Sequence, residues 1–206
     1  MMHHVLVASD FFQLESRAPA TILRLTSPDR TNRLTRACIR ALTAGIEELR
    51  QQSTPLTTRL TAPLIITGNH EFFSVGADLN EIAALSAAEA YEFSSVGQTL
   101  MNLIAAYPAP VVAAVEGHCM GGGLDLALAC HRRIATPRAS FGHRGAALGL
   151  ITGWGGTQRL PRLIGKGGAL QLLIAAEKIS AARALEIGLV DAIADDAVAE
   201  AIKLSN

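Results

Sequence analysis

Two glycine-rich turns, each set between an apolar run and a helix-like stretch, constrain this chain more than any other feature. The first follows Pro63–Thr67 within I-I-T-G-N-H-E-F-F-S-V-G-A-D-L (residues 65–79). The second follows Val111–Val115 within V-V-A-A-V-E-G-H-C-M-G-G-G-L-D-L (residues 111–126). Both apolar runs are short and bounded by turn residues, which predicts buried strands. Glycine permits positive φ and close backbone approach. A helix start carries N–H groups with no helical partner, and these attract negative charge. Two such turns side by side can aim two N–H groups at one oxygen, as in an oxyanion hole, where one donor is worth roughly 10²–10³ in rate. Taken alone, each turn is also what a tight structural turn needs. Other glycine motifs do not fit. No G-x-G-x-x-G follows either strand, and Gly165-Lys166 is followed by Gly167 where a phosphate loop has Ser or Thr.

Along the rest of the chain, Thr21–Leu25 is predicted as a strand, with a turn at Ser27-Pro28-Asp29. Leu34, Cys38, Ala41, Leu42, Ile46 and Leu49 recur at helical spacing, and Gln51–Thr54 reads as a polar loop. Helices are expected after Ser74–Asp78, over Ala87–Ala106 and over Leu124–Cys130, and Ile134–Phe141 reads as extended. Gly153–Gly156 is a further glycine-rich turn. Helices follow at Gln158–Ile164, Ala169–Ala176 and Ala181–Ile187, the last ended by Gly188. Strands alternating with helices indicate the α/β class. No break in composition and no repeat divides the chain, so residues 1–206 read as one domain.

Composition narrows the partners. With 18 basic and 18 acidic residues the formal net charge is zero, and aromatics are 4%. Such a chain is not built to neutralise phosphates or stack bases, so nucleic acid is not an expected partner. Leu103–Val115 is the most apolar stretch, but it is short and broken by Pro108 and Pro110, and cannot span a bilayer. The N-terminus lacks a basic-then-apolar signal pattern. Cys38, Cys119 and Cys130 show no C-x-x-C spacing, which suggests reduced thiols and a cytosolic, cytoplasmic protein. Cys119 reads first as a small buried hydrophobe, although it lies beside the glycine cluster. No metal site and no separate cofactor are expected.

The ordered blocks S-P-D-R-T-N-R-L, F-F-S-V-G-A-D-L, A-P-V-V-A-A-V-E-G-H-C-M-G-G-G-L-D-L-A-L-A-C, A-S-F-G-H, G-W-G-G-T-Q-R-L-P-R-L-I-G and A-L-E-I-G-L-V-D resemble the crotonase (enoyl-CoA hydratase/isomerase) family from about residue 11 to 193. The resemblance implies a spiral of ββα units, assembly as a homotrimer or hexamer, and an acyl-CoA thioester as partner, with coenzyme A as part of the substrate. It implies that two backbone N–H groups stabilise a thioester enolate. By position those donors are Ala77 and Gly122, the middle glycine of G-G-G. The segment holding Ser74, Val75, Gly76, Asp78 and Leu79 would border coenzyme A, with Gly121 beside the thioester and Trp154 at the acyl pocket or in the core. Asp78 also reads as a helix cap.

The chain departs from the family at several positions. Related hydratases use two glutamates, and here the matching places hold Asp125 and, twenty residues later, Gly145. Hydration needs one group to remove a proton and another to donate one, each worth roughly 10²–10⁴. Asp125 keeps a carboxylate but is one methylene shorter, and it can equally serve the helix dipole. Gly145 can move no proton. His143, two residues earlier, faces the same way in an extended segment and can replace the missing acid, or be a structural histidine. Asn80 stands where many relatives have a lysine, and His131 where they have Asp. Glu116 and His118 precede the glycines as lesser candidates. Family members commonly continue through further helices after the G-L-V-D block, where this chain has only Ala192–Asn206. The leading expectation is a lyase or isomerase acting on acyl- or enoyl-CoA. The alternative is a non-catalytic acyl-CoA-binding or assembly subunit, because Gly145 replaces the second carboxylate.

Overall fold

The computed structural model describes residues 4–51 and 62–205. In chain order the strands are β1 (His4–Ala8), β2 (Phe12–Arg17), β3 (Ala20–Leu25), β4 (Arg33–Leu34), β5 (Leu64–Thr67), β6 (Phe72–Ser74), β7 (Gly76–Ala77), β8 (Val111–Val115), β9 (His118–Met120), β10 (Arg132–Ala135), β11 (Ser140–Gly142), β12 (Lys178–Ser180) and β13 (Ala192–Ile193). The helices are α1 (Arg36–Gln51), α2 (Leu79–Ala83), α3 (Ala87–Ala105), α4 (Gly122–Ala129), α5 (Gly156–Leu173), α6 (Ala181–Glu186) and α7 (Ala197–Leu204). A 3₁₀ turn spans Arg144–Leu148.

Among the described residues, seven strands form the main sheet in the order β1-β2-β3-β5-β8-β10-β13. The β1–β2–β3 edge is antiparallel, and the pairings from β3 through β13 are parallel. β5 and β8 are buried at every residue, as parallel strands covered on both faces must be. Their alternation divides the core. Leu64, Ile66, Val111, Ala113 and Val115 face the larger cluster with α1, α3 and α4, while Ile65, Val112 and Ala114 face a smaller cluster closed by Ala197, Val198 and Ala201 of α7. A second sheet, β12-β11-β9-β6, and the short β4–β7 pair carry the segments that follow the main strands. The chain thus repeatedly leaves a strand of the large sheet through a turn into a strand of a smaller one and then a helix.

Local chemistry sets the element starts. Ser86 and Glu89 form a reciprocal capping box at α3, and Asp78 caps α2 by accepting from the N–H groups of Asn80 and Glu81. The structure corrects the sequence reading in places. Ile134–Phe141 is not one extended run, because a turn closed by Ala139 N–H to Thr136 O separates β10 from β11. The helices expected at 158–164 and 169–176 belong to one element, α5, broken at Gly165 (φ 78°, ψ 164°). α1 continues to Gln51, and residues 52–54 of the expected loop lie outside the described residues. No described helix is long and apolar enough to cross a membrane.

Candidate active site

The two glycine turns meet. Gly76 has φ +93°, and a Cβ on it would lie 2.7 Å from both Gly122 N and Met120 O. Only glycine fits there, for both conformation and contact. A Cβ on Gly122 would in turn lie 3.3 Å from Ala77 N, so the backbone amides of Ala77 and Gly122 are neighbours. Gly122 opens α4 after Gly121 (φ +52°), and its N–H is therefore among those that no helical carbonyl reaches.

Beside these amides lies a cavity of about 490 Å³. Val75, Ala77, Gly121 and Gly122 form one wall, and Leu79, Phe93, Leu148, Ile151 and Trp154 supply apolar surface. Trp154 answers both readings of it. Its ring is 4% exposed and packs 5.3 Å from Phe93, with Nε1–H donating to Phe93 O, yet it also borders the cavity.

The polar end is built on Asp125 and His143. Asp125 projects from the first turn of α4 and is 2% exposed. Its Oδ2 accepts a 2.5 Å hydrogen bond from Thr152 Oγ1 and lies 3.5 Å from His143 Nε2. Asp125 Oδ1 and His143 Nε2 are both buried without a hydrogen-bond partner. Buried polar atoms are nearly always satisfied, so two unsatisfied ones on neighbouring residues that both line the cavity set this pair apart from the rest of the core. Gly156 makes room for the carboxylate, because a Cβ there would lie 2.2 Å from Oδ1. Gly145 also lines the cavity, but from within the 3₁₀ turn rather than from the extended segment expected for residues 143–145. A Cβ on it would lie 3.4 Å from the His143 ring and 3.0 Å from Leu150 O.

Other predicted site residues turn elsewhere. Ser74 is fully buried, donating to Asn32 O at 2.7 Å and accepting from Gly76 N–H, so its side chain braces the first turn and does not reach the cavity. Asp78 is occupied by the α2 cap and by Arg33, 3.2 Å away. Glu116 pairs with His70, and His118 with Ser140; neither borders the cavity. Cys119 is buried, and burial pushes its thiol well above the ordinary range, which makes it inert. His131, for which the sequence offered no role, has a structural one. Its Nδ1 accepts from Val111 N–H at 2.9 Å while Nε2 faces Ala105 O at 3.2 Å, so the ring joins the start of β8 to the end of α3.

Sequence reasoning missed Thr152, the hydroxyl that orients Asp125. It lies 27 residues from its partner in a loop, and no spacing rule links them. Leu148 and Ile151 were also missed, although the apolar L-G-L-I-T run at residues 148–152 was the available signal.

Comparison with known proteins agrees with this architecture. Residues 16–205 match the family model described as enoyl-CoA hydratase/isomerase. Over 131 residues the chain is 50% identical to a crotonyl-CoA hydratase of Syntrophomonas wolfei, and over 134 residues 46% identical to a probable enoyl-CoA hydratase of Bacillus subtilis. These alignments take in 63% and 65% of this chain but 50% and 52% of the relatives, so the match spans about half their length. Among solved structures, Pseudomonas aeruginosa DspI superposes with a TM-score of 0.87 at 32% identity over 96% of this chain and 79% of that one. An enoyl-CoA hydratase from Bacillus anthracis gives 0.85 at 33% identity over 94% and 74%. A match over nearly the whole length, joined to the same fold at about a third identity, leads to one conclusion: this chain belongs to the enoyl-CoA hydratase/isomerase family.

Proposed function

We propose that the protein acts on an acyl- or enoyl-CoA thioester, with coenzyme A as part of the substrate and the Asp125–His143 pair as the proton-transfer group. The observation that carries this reading is that pair, with a free oxygen and a free ring nitrogen, beside the neighbouring amides of Ala77 and Gly122. A thioester carbonyl accepting from both N–H groups becomes a better electron sink. Removal of an α-proton then forms an enolate whose charge those donors stabilise. The Asp125 carboxylate is the base, Thr152 holds its Oδ2, and His143 stands ready to hold or return the proton. The largely apolar cavity strengthens each of these interactions by excluding water.

With one proton-handling wall, isomerisation and related shuttling of a single proton require nothing further from the chain. Hydration requires His143 to replace the group absent at Gly145. Purified protein assayed against a panel of short CoA thioesters is expected to turn over an enoyl-CoA. Absence of any thioester binding would refute the proposal. Binding without turnover would select a second reading, an acyl-CoA holder or assembly subunit, which the missing side chain at Gly145 favours.

The same reading carries a cytosolic location and assembly into trimers or pairs of trimers. Leu163, Leu170 and Ile174 of α5 and its C-terminal end, with 38%, 59% and 59% exposure, offer apolar surface for such contacts. Sedimentation of a monomer at micromolar concentration would contradict the assembly.

A further inference from the structure

Behind the active-site cavity, α3 and the beginning of α5 enclose a second recess of about 440 Å³ with opposite chemistry. Gln98 and Asn102 lie four residues apart on one face of α3, and Thr157, Gln158, Arg159 and Arg162 approach from α5. The lining holds two guanidiniums and no carboxylate. Arg159 is fixed in place, donating to Trp154 O at 3.0 Å and to Asn102 Oδ1 at 2.9 Å. Its pKa is lowered by burial first and also by Arg162, against the opposing pull of Asp125. The side chains of Arg162, Thr157 and Gln158 have no hydrogen-bond or ion-pair partner among the described residues, and the Asn102 amide nitrogen is unused. The recess therefore presents a surplus of donors and positive charge, with no carboxylate among its lining residues to answer it.

We propose that this recess binds an oxyanion, a carboxylate or phosphate, held by Arg159 and Arg162 with Thr157, Gln158 and Asn102 donating around it. Guanidinium suits this role because its planar fork matches two oxygens of one anion. Two sources present that chemistry. One is a free anion. The other is the anionic far end of an acyl substrate, and this source rests on the acyl-thioester reading above. The two cavities share Ser94, Thr152 and Gly153. The seam between them is closed by Ser94 Oγ and Gln98 Nε2 donating to Gly153 O at 2.9 and 2.7 Å. Opening it would join the cavities.

The test is calorimetric titration of the full chain with inorganic phosphate at fixed ionic strength, using chloride as reference, in parent and Arg162→Gln. Arg162 is exposed and unpaired, so its replacement leaves the fold intact, as circular dichroism would verify. Phosphate is expected to bind the parent in preference to chloride, and Arg162→Gln to weaken it about tenfold, the scale of one charge-assisted hydrogen bond. No phosphate binding, or equal binding by parent and variant, would overturn the proposal. A plain acyl-CoA and an ω-carboxyacyl-CoA of equal chain length then separate the sources. If Arg162→Gln weakens only the carboxyacyl thioester, the substrate's end is the ligand. If both thioesters bind the variant as they bind the parent while phosphate is lost, a free anion is the ligand. Failure of either thioester to bind the parent would count against the proposed function and leave the phosphate result standing.

Discussion

Asp125 and Gly145 occupy the same cavity, twenty residues apart in sequence, and are built in opposite ways. Asp125 is held on every side. Thr152 donates to one oxygen, His143 stands 3.5 Å from it, and the glycine at 156 makes room for the other. Gly145 contributes backbone alone, accepting from Leu150 N–H at 2.9 Å, and it is not among the residues with positive φ. Its glycine is therefore not forced by conformation. The contrast teaches that, under the proposed function, proton transfer at this cavity falls to one wall, where His143 Nε2 stands 3.5 Å from the Asp125 carboxylate.

The largest effect should come from breaking the built wall. Asp125→Asn is expected to lower turnover about 10³-fold, within the range of one acid–base group, while thioester affinity is kept. Steady-state kinetics with a binding measurement checks both halves, and an unchanged rate would erase the asymmetry. Next is the contact between the two turns. Gly76→Ala puts a methyl 2.7 Å from Gly122 N at a φ of +93°, which should separate the two amides and cost roughly 10²-fold, the lower range for one oxyanion donor, with a lowered melting temperature.

A smaller effect is expected from filling the empty wall. Gly145→Glu should raise hydration of a short trans-2-enoyl-CoA by about tenfold, less than a full acid–base contribution, because Leu150 O crowds the new side chain at 3.0 Å. Lengthening Asp125 to Glu as well has no room, since Oδ1 already lies where a Cβ on Gly156 would sit. No gain from Gly145→Glu in a folded protein would indicate that the chemistry does not need a second wall.

The smallest effect belongs to the cap of α2, outside the lining of the cavity. Asp78→Ala should cost about 1 kcal/mol, the usual loss for a helix cap. The N–H of Glu81, then Arg33, holds the Asp78 carboxyl below its ordinary range. Its contribution is therefore fully present above the unfolded pKa of about 4 and fades as pH falls through the lower, folded value. Melting curves of parent and variant should differ at pH 7 and converge in acid.

Much of this arrangement was legible in the sequence, and the exceptions have physical causes. Strands β5 and β8 announced themselves as short apolar runs, and the glycine turns as conformations that other residues do not adopt. The resemblance pointed to Ala77, Gly122, Asp125 and Gly145, and spacing from Gly145 pointed to His143; all five line the cavity. What sequence did not reveal depends on contacts between distant segments. The bond from Thr152 to Asp125 exists only because a loop crosses α4, and the backbone bonds of His131 only because β8 starts beside it. α7 was passed over because Ala197, Val198 and Ala201 make a modest apolar stripe that matters only once the sheet offers its second face. Ser74 and Asp78 lie in the right segment, yet their short side chains are spent on the turn itself.

The central claim is that Asp125 removes a proton α to a thioester carbonyl held by the amides of Ala77 and Gly122. The direct measurement is incorporation of deuterium at the α-carbon of butanoyl-CoA in D₂O, followed by NMR. It reads enolate formation without requiring water addition or a second wall. The account predicts α-exchange catalysed by the parent, abolished in Asp125→Asn under conditions where the variant still binds the thioester. Binding by the parent with no exchange, or equal exchange by parent and variant, would contradict it.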